Sequence, residues 1–290
     1  MITAIIHTKN EARNLPPLLR SLRPWVTEII VADMCSADDT VAIAEQFGAR
    51  VLHVDDAGFA DPARQQALDA AHTPWVLKID ADERIAATLA RRLLEVATED
   101  SFDAVEVPFR TYFLGKPLKA TGYANEYHTT FFKKTAGTFP GEVHNFFRLA
   151  PGSRILRLPH TVENSVIHLN YVDARQVFEK MNRYTTAEAE KICAQGGLTR
   201  RRELLAPPYE LVRRLFLQKA YQDGWRGVYF SFVMMAYRIA TNMKAREISA
   251  GAGHQRVSEA YDALSESVAD AVESAFARPS IPDPRLAIGA

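Results

Sequence analysis

The chain has 290 residues, 47% hydrophobic and 24% charged, and its 35 basic and 35 acidic side chains cancel. These figures exclude a chain that is disordered, collagenous or coiled coil throughout, and describe a globular protein of one large or two modest domains. The charge is unevenly placed, at −4 over residues 1–174, +7 over 175–247 and −3 over 248–290.

The strand pattern begins at Thr3 with no charged leader ahead of it, so no signal peptide is expected. Short β-rich runs then alternate with helical patterns: Thr3–His7, a helix Glu11–Leu22, Glu28–Ala32, a helix Asp39–Phe47, Arg50–Val54, a helix Asp61–Ala71, Trp75–Ile79 and a helix Ala86–Thr98. Such a βα series builds a mainly parallel sheet covered on both faces. From Ala104 the strands follow one another without helices, over Ala104–Arg110, Tyr127–Lys133, Phe146–Leu149 and Val166–Leu169, which extends the sheet with mixed or antiparallel strands. Helices are predicted over Ala174–Cys193, over Tyr209–Gln222 after Pro207-Pro208, over Gly227–Ala245 and over Val257–Phe276. The apolar run Val228 to Tyr237 is half the roughly 20 residues that a bilayer crossing needs, so no transmembrane anchor is expected. Cys35 and Cys193 read as small packed residues of a reducing compartment, and a cytoplasmic location follows.

The strand ends carry the chemistry. Ligands of open α/β sheets bind at the carboxyl ends of the strands, and here those ends are polar: Thr8-Lys9-Asn10-Glu11, Asp33 to Asp39, Asp55-Asp56 and Asp80-Ala81-Asp82-Glu83. Three carboxylates in four residues repel one another, and a hard divalent cation bridging a diphosphate would relieve them. A solvated turn capping the next helix is the plainer alternative. No G-x-G-x-x-G follows the first strand and no Walker-type loop occurs, which argues against NAD and P-loop chemistry. Asp33 is placed to accept from a base imino group, while Asp38 or Asp39 reads as a helix cap.

Taken in order, Thr8-x-Asn10-Glu11, Asp33-x-x-Ser36-x-Asp38-Asp39-Thr40, Ala60-Asp61-x-x-Arg64 and Asp80-Ala81-Asp82 resemble the family 2 glycosyltransferases of GT-A fold, and within them the bacterial lipopolysaccharide-core β-glucosyltransferase-like branch. The later segments Phe139-Pro140-Gly141-Glu142-Val143-His144, His168 and Asp223-Gly224-Trp225-Arg226-Gly227 match more loosely. The resemblance implies a Rossmann-like mixed sheet of the nucleotide-diphospho-sugar transferase type with a C-terminal helical region. Its divisions would be a catalytic domain over 1–172 (nucleotide half 1–100, acceptor half 101–172), a helical, membrane-proximal region over 173–248, and a polar helix and tail over 249–290. It implies nucleotide contacts from Thr8, Asn10, Glu11, Asp33, Ser36, Arg64 and Asp80, and Mg²⁺ or Mn²⁺ held by Asp82 and Asp80 with His168. The implied reaction is inverting transfer of a hexose, glucose favoured, from a UDP-sugar to a lipid-linked or lipopolysaccharide-core glycan. Relatives carry His-Glu after the Gly-x-Val turn, where this chain has Val143-His144-Asn145, so either the base falls to Glu142 or His144, or the acceptor is different or absent. A hydrogen-bonded core role stays open for His168, and a turn role for Glu142.

The basic segment 205–247 is read either as lying on a membrane surface, with Arg213, Arg214, Lys219 and Arg226 among lipid phosphates, or as packing onto the sheet or across a homodimer axis. No nucleic-acid partner is expected. A non-catalytic nucleotide-sugar binder and a nucleotidyltransferase remain as other function classes.

Overall fold

The computed structural model describes residues 1–55, 61–123, 126–140 and 147–276. Strand β1 (Ile2–Thr8) is buried along its whole length and lies between β2 (Glu28–Asp33) and β4 (Trp75–Asp80), parallel to both, with β3 (Arg50–His53) parallel to β2 at the edge. Beyond β4 come β8 (Tyr127–Lys133), antiparallel, then β6 (Ala104–Phe113), β12 (Val166–Tyr171) and β5 (Glu83–Ile85). The order β3-β2-β1-β4-β8-β6-β12-β5 is the expected mixed sheet of the GT-A type. Strands β7 (Lys116–Pro117) and β11 (Ile155–Arg157) also pair with β6, and β9 (Gly137–Thr138) pairs with β10 (Arg148–Leu149) in a separate ribbon.

Two apolar layers sandwich the parallel half. Helices α1 (Leu15–Leu22), α2 (Thr40–Gln46) and α4 (Ala87–Glu99) cover one face, where Leu18, Leu22 and Leu93 meet Ile2, Ala4 and Ile6 of β1. Helix α3 (Asp61–Ala70) covers the other, where Ala67 and Leu68 share a cluster with Ile5, Ile30 and Phe132. The alternation of β1 side chains between those clusters is the period-2 signature of a strand buried on both faces. Because α1 and α3 lie on opposite faces, the chain reverses direction at the β1–β4 boundary, and a crevice opens at their carboxyl ends.

Among the elements that differ from the sequence expectation are α1, β5 and α6. Helix α1 starts at Leu15, not Glu11, because Pro16 and Pro17 have no N–H to donate and therefore occupy the first turn. Strand β5 was not foreseen, since Glu83-Arg84-Ile85 is too short to show alternation. Helix α6 (Arg200–Val212) contains Pro207 and Pro208 instead of starting after them. The Glu203 carbonyl, which Pro207 cannot satisfy, accepts instead from Asn242 Nδ2 at 3.1 Å.

Helices α5 (Ala174–Ala194) and α7 (Gly224–Ser249) pack together and onto the end of the sheet, where Val177 and Phe230 meet Phe113. Gly227 lets the turn at Ala220–Asp223 fold back against the first turn of α7, since a Cβ there would collide with the Ala220 carbonyl. Two of the cations expected among lipid phosphates are used internally. Arg214 is buried and bonded to Glu210 Oε1 at 2.6 Å, and Arg226 Nε donates to the Leu114 carbonyl at 3.0 Å. The Asp223 carboxylate accepts from the backbone N–H groups of Lys119 and Ala120 at 2.8 and 2.9 Å. These residues clamp the segment around β7 to the base of α7. The basic excess there is thus partly structural, which composition cannot distinguish from a lipid-facing surface. Among the described residues no helix is long and apolar enough to cross a membrane.

Candidate active site

The loops after β1 and β2 are stapled around one carboxylate. Asp33, 1% exposed, accepts from Thr8 Oγ1 at 3.2 Å, Ser36 Oγ at 2.5 Å and the Ser36 N–H at 2.9 Å. Ser36 Oγ in turn accepts from the Asn10 N–H, and Asn10 Oδ1 from the Ala37 N–H, both at 2.8 Å. Asn10 turns in the left-handed region at φ 57°, a conformation asparagine tolerates better than most side chains. Thr8, Asn10, Asp33 and Ser36 are thus brought together as a brace that fixes the crevice wall. Asp38 accepts from the Ala12 and Thr40 N–H groups and ties the two loops together, while Asp39, at the N-cap of α2, makes no side-chain cap bond, so neither caps the helix as expected. Arg84, which no sequence signal marked, donates to the carbonyls of Ala81 and Asn14 at 2.7 and 3.0 Å and ties the turn after β4 to the start of α1.

The crevice is a cavity of about 590 Å³, and Glu11, Arg64, Asp80, Asp82 and His168 of the predicted set all line it. Asp80, at the end of β4, faces Lys78 Nζ at 2.7 Å and an Arg64 guanidinium nitrogen at 3.9 Å. Asp82 faces His168 Nε2 and Lys180 Nζ, each at 3.6 Å. The short β5–β12 ladder places them so: Glu83 lies opposite His168, and the Leu169 N–H donates to the Asp82 carbonyl at 2.9 Å. Glu83, 2% exposed, points inward, accepts from the Asp80 N–H at 2.8 Å and stands 3.8 Å from Lys78.

The electrostatics differ from the expectation of mutually repelling carboxylates. Burial pushes the Asp80 carboxyl up, but Lys78 and Arg64 outweigh it and hold the group well below the usual range. The same balance holds for Asp82, where His168 and Lys180 outweigh burial. Burial pulls the His168 imidazole down, but Asp82 raises it above its ordinary value. Glu83, for which burial prevails over Lys78, is raised. His7, buried behind them on β1, is lowered to about 3 by burial and by Arg64 and Lys78, so it is neutral at physiological pH. Cations on β4, α3 and α5 therefore balance the acidic string before any ligand arrives.

A divalent cation fits this arrangement in part. Asp80 Oδ1 is buried with no hydrogen-bond partner, an orphaned oxygen of the hard type that Mg²⁺ and Mn²⁺ prefer. Yet among the described residues no three His, Cys, Asp or Glu side chains converge closely enough to hold an ion. An ion here would complete its coordination with ligand oxygens and water, which is how Mg²⁺ is usually held beside phosphates.

The cavity continues past the acidic string to a wall that the sequence reading missed. Lys180 of α5 sits at the junction, within 3.2 Å of Asn170 Oδ1 and 5.2 Å above the Tyr171 ring. Beyond it Tyr184 and Glu188 of α5 and Tyr237 and Arg238 of α7 line the space, with Arg238 bonded to Glu188 at 3.0 Å. Their i, i+4 spacing along α5 (Lys180, Tyr184, Glu188) marks one helix face, a pattern present in the sequence but indistinguishable there from a solvated stripe. His128 also lines the cavity and pairs with Glu126 at 2.9 Å. Glu142 and His144, the two candidate bases, lie outside the described residues.

Residues 3–155 match the family model described as glycosyl transferase family 2. Over 254 residues the chain is 25% identical to an uncharacterized glycosyltransferase of Rickettsia felis, covering 85% of this chain and 89% of that protein. Over 250 residues it is 23% identical to the lipopolysaccharide core biosynthesis glycosyltransferase LpsC of Rhizobium meliloti, covering 84% and 91%. Among solved structures, the mannosyltransferase PcManGT from Pyrobaculum calidifontis, in complex with GDP-Man and Mn²⁺, superposes with a TM-score of 0.47 at 16% identity, covering 84% of this chain and 86% of that one.

Proposed function

Because the chain belongs to glycosyl transferase family 2, we propose that it moves a hexose, glucose first among candidates, from a UDP-sugar to a lipid-linked or lipopolysaccharide-core glycan, with inversion and with the help of Mg²⁺ or Mn²⁺. The observation that carries this reading is the juxtaposition of Asp80 and Asp82 with Arg64, Lys78 and Lys180 on one wall of the cavity at the β1–β4 switch point. That wall offers acidic oxygens for a cation and ammonium and guanidinium groups for a diphosphate. The likeness to LpsC supports the acceptor class.

In this scheme the nucleoside lies along the braced β1–β2 loops, near Glu11, and Asp80 would accept from a ribose hydroxyl or help to hold the cation. The metal, held by Asp82 and Asp80 with His168 beside them, would supply positive charge against the departing diphosphate. Arg64 and Lys180 add to that charge from the protein side and need no reorganisation as the bond breaks. The acceptor oxygen attacks the anomeric carbon, the bond to the diphosphate breaks with its electron pair leaving on the nucleotide, and the acceptor proton passes to Glu142 or His144. The acceptor sugar lies against Tyr184 and Tyr237, with the Glu188–Arg238 pair offering an acceptor and a donor for its hydroxyls. Exposed Phe216, Leu217, Trp225 and Tyr229 support a position on the cytoplasmic membrane surface, within reach of a lipid-linked acceptor.

The reading is tested by incubating the purified protein with UDP-glucose, UDP-galactose, UDP-N-acetylglucosamine or GDP-mannose and truncated lipopolysaccharide in the presence of Mn²⁺. UDP-glucose should be consumed fastest, with label entering the lipopolysaccharide and a chelator stopping both. If none of the UDP-sugars is turned over, or if turnover is indifferent to chelator, the donor and metal assignments are wrong.

A further inference from the structure

The cavity carries a cation that the chain leaves unmatched. Arg64, Lys78, Lys180 and Arg238 line it, and each stands within 3.9 Å of a carboxylate: Asp80 for the first two, Asp82 for Lys180 and Glu188 for Arg238. Arg183 of α5 lines the same cavity and, among the described residues, meets no carboxylate. The local sequence would permit such a pair. Glu179 precedes Arg183 by four residues, the spacing at which opposite charges meet on a helix, but its carboxylate accepts from Arg175 Nε at 2.7 Å instead. The acids that line the acceptor end are engaged as well, since Glu188 bonds Arg238 at 3.0 Å and Glu126 bonds His128 at 2.9 Å.

Two contacts give this guanidinium a defined place. It lies 5.2 Å from the centroid of the Tyr184 ring, a distance at which a cation is drawn to an aromatic face. The helical turn that carries it is pinned by α7, because Lys244 Nζ donates to the Asn182 carbonyl, Thr185 Oγ1 and Thr186 Oγ1 at 2.6, 2.9 and 2.7 Å. Arg183 follows Lys180 by three residues, a rise of about 4.5 Å along α5, so it stands on the acceptor side of the junction and away from the acidic string. We propose that Arg183 binds an anionic substituent, a phosphate or a carboxylate, carried by the acceptor glycan. Its planar fork of N–H donors matches either group with two parallel hydrogen bonds. The inference rests on the acceptor reading of this half of the cavity and assumes nothing about the donor sugar, the metal or the base.

Ligand-observed NMR titration of the full chain with glucose 6-phosphate, glucuronate and glucose tests it, each probe added once with UDP and Mn²⁺ present, to occupy the diphosphate end, and once without them. The wild type should bind at least one charged sugar about tenfold more tightly than glucose, the lower range for a hydrogen bond to a charged group. Which of the two is preferred tells phosphate from carboxylate. Arg183→Gln should lose the preference while binding UDP as the wild type does, and Arg183→Lys, a point charge without the planar fork, should keep part of it. Because Arg183 is exposed, both variants should keep the wild-type thermal midpoint. A wild type that binds glucose as tightly as both charged sugars, or an Arg183→Gln variant that keeps the preference, overturns the proposal. Failure of UDP to bind is a separate result: it removes the donor reading, and the nucleotide-free comparison of wild type with Arg183→Gln still decides the anion site.

Discussion

Asp82→Asn is expected to lower glycosyl transfer by about 10²–10³-fold, the scale on which a single preorganised charge-stabilising group acts in a transition state, while leaving the fold standing. Asparagine keeps the side-chain shape but brings no charge to a metal, and the Asp82 contacts to His168 and Lys180, at 3.6 Å, are longer than tight charge-assisted hydrogen bonds. The loss should be in turnover at saturating donor and Mn²⁺, measured with UDP-glucose. With the carboxylate gone, Lys180 faces the diphosphate unopposed, so weak nucleotide binding that no longer responds to chelator should persist. Turnover at the wild-type level would remove Asp82 from the metal site.

Lys78→Met should act on stability instead. Lys78 is the close counter-charge of Asp80 and stands near Glu83, and its side chain is 13% exposed. Removing one member of a buried ion pair strands the other in a poorly solvating site, at a cost of about 3 kcal/mol. Partial solvent access at Asp80 screens part of that cost, which leaves buried Glu83 as the larger contributor. Chemical denaturation of the variant should therefore show a clear drop in midpoint, and adding Glu83→Gln should restore part of it. The drop should shrink as pH falls, because a protonated Glu83 needs no counter-ion. A midpoint unchanged from wild type would mean that Lys78 is not what holds the acidic string together.

How much of this was legible in the sequence follows from the range of the forces involved. The βα series of the first hundred residues was readable because strands buried on both faces are continuous apolar runs and their helices carry a 3.6-residue period. The acidic string after β4 was readable because carboxylates at a strand end are locally conspicuous. What surrounds it was not. Lys78 lay inside a strand reading as core, Arg64 was recognised only through a family resemblance, and Lys180 arrives from a helix about a hundred residues later. The expectation of a repulsive cluster awaiting a cation omitted these long-range partners, which local sequence does not display. The same limit applied to Asp33: its carboxylate could be predicted to sit at a strand end, but not that Thr8 and Ser36 would both bind it. Arg214 and Arg226 stay undecided between membrane contact and packing in the sequence for the converse reason, since a buried arginine and a lipid-facing one have the same spelling.

The central claim, a metal-assisted UDP-sugar site at the ends of β1 and β4, is tested most directly by calorimetric titration of UDP into the wild-type protein, once with Mn²⁺ and once with chelator, with GDP and CDP as controls. Saturable, 1:1 UDP binding that is strong with Mn²⁺ and much weaker without it is the predicted result. Absence of UDP binding under either condition would contradict the claim and leave the acidic string as a set of internal ion pairs.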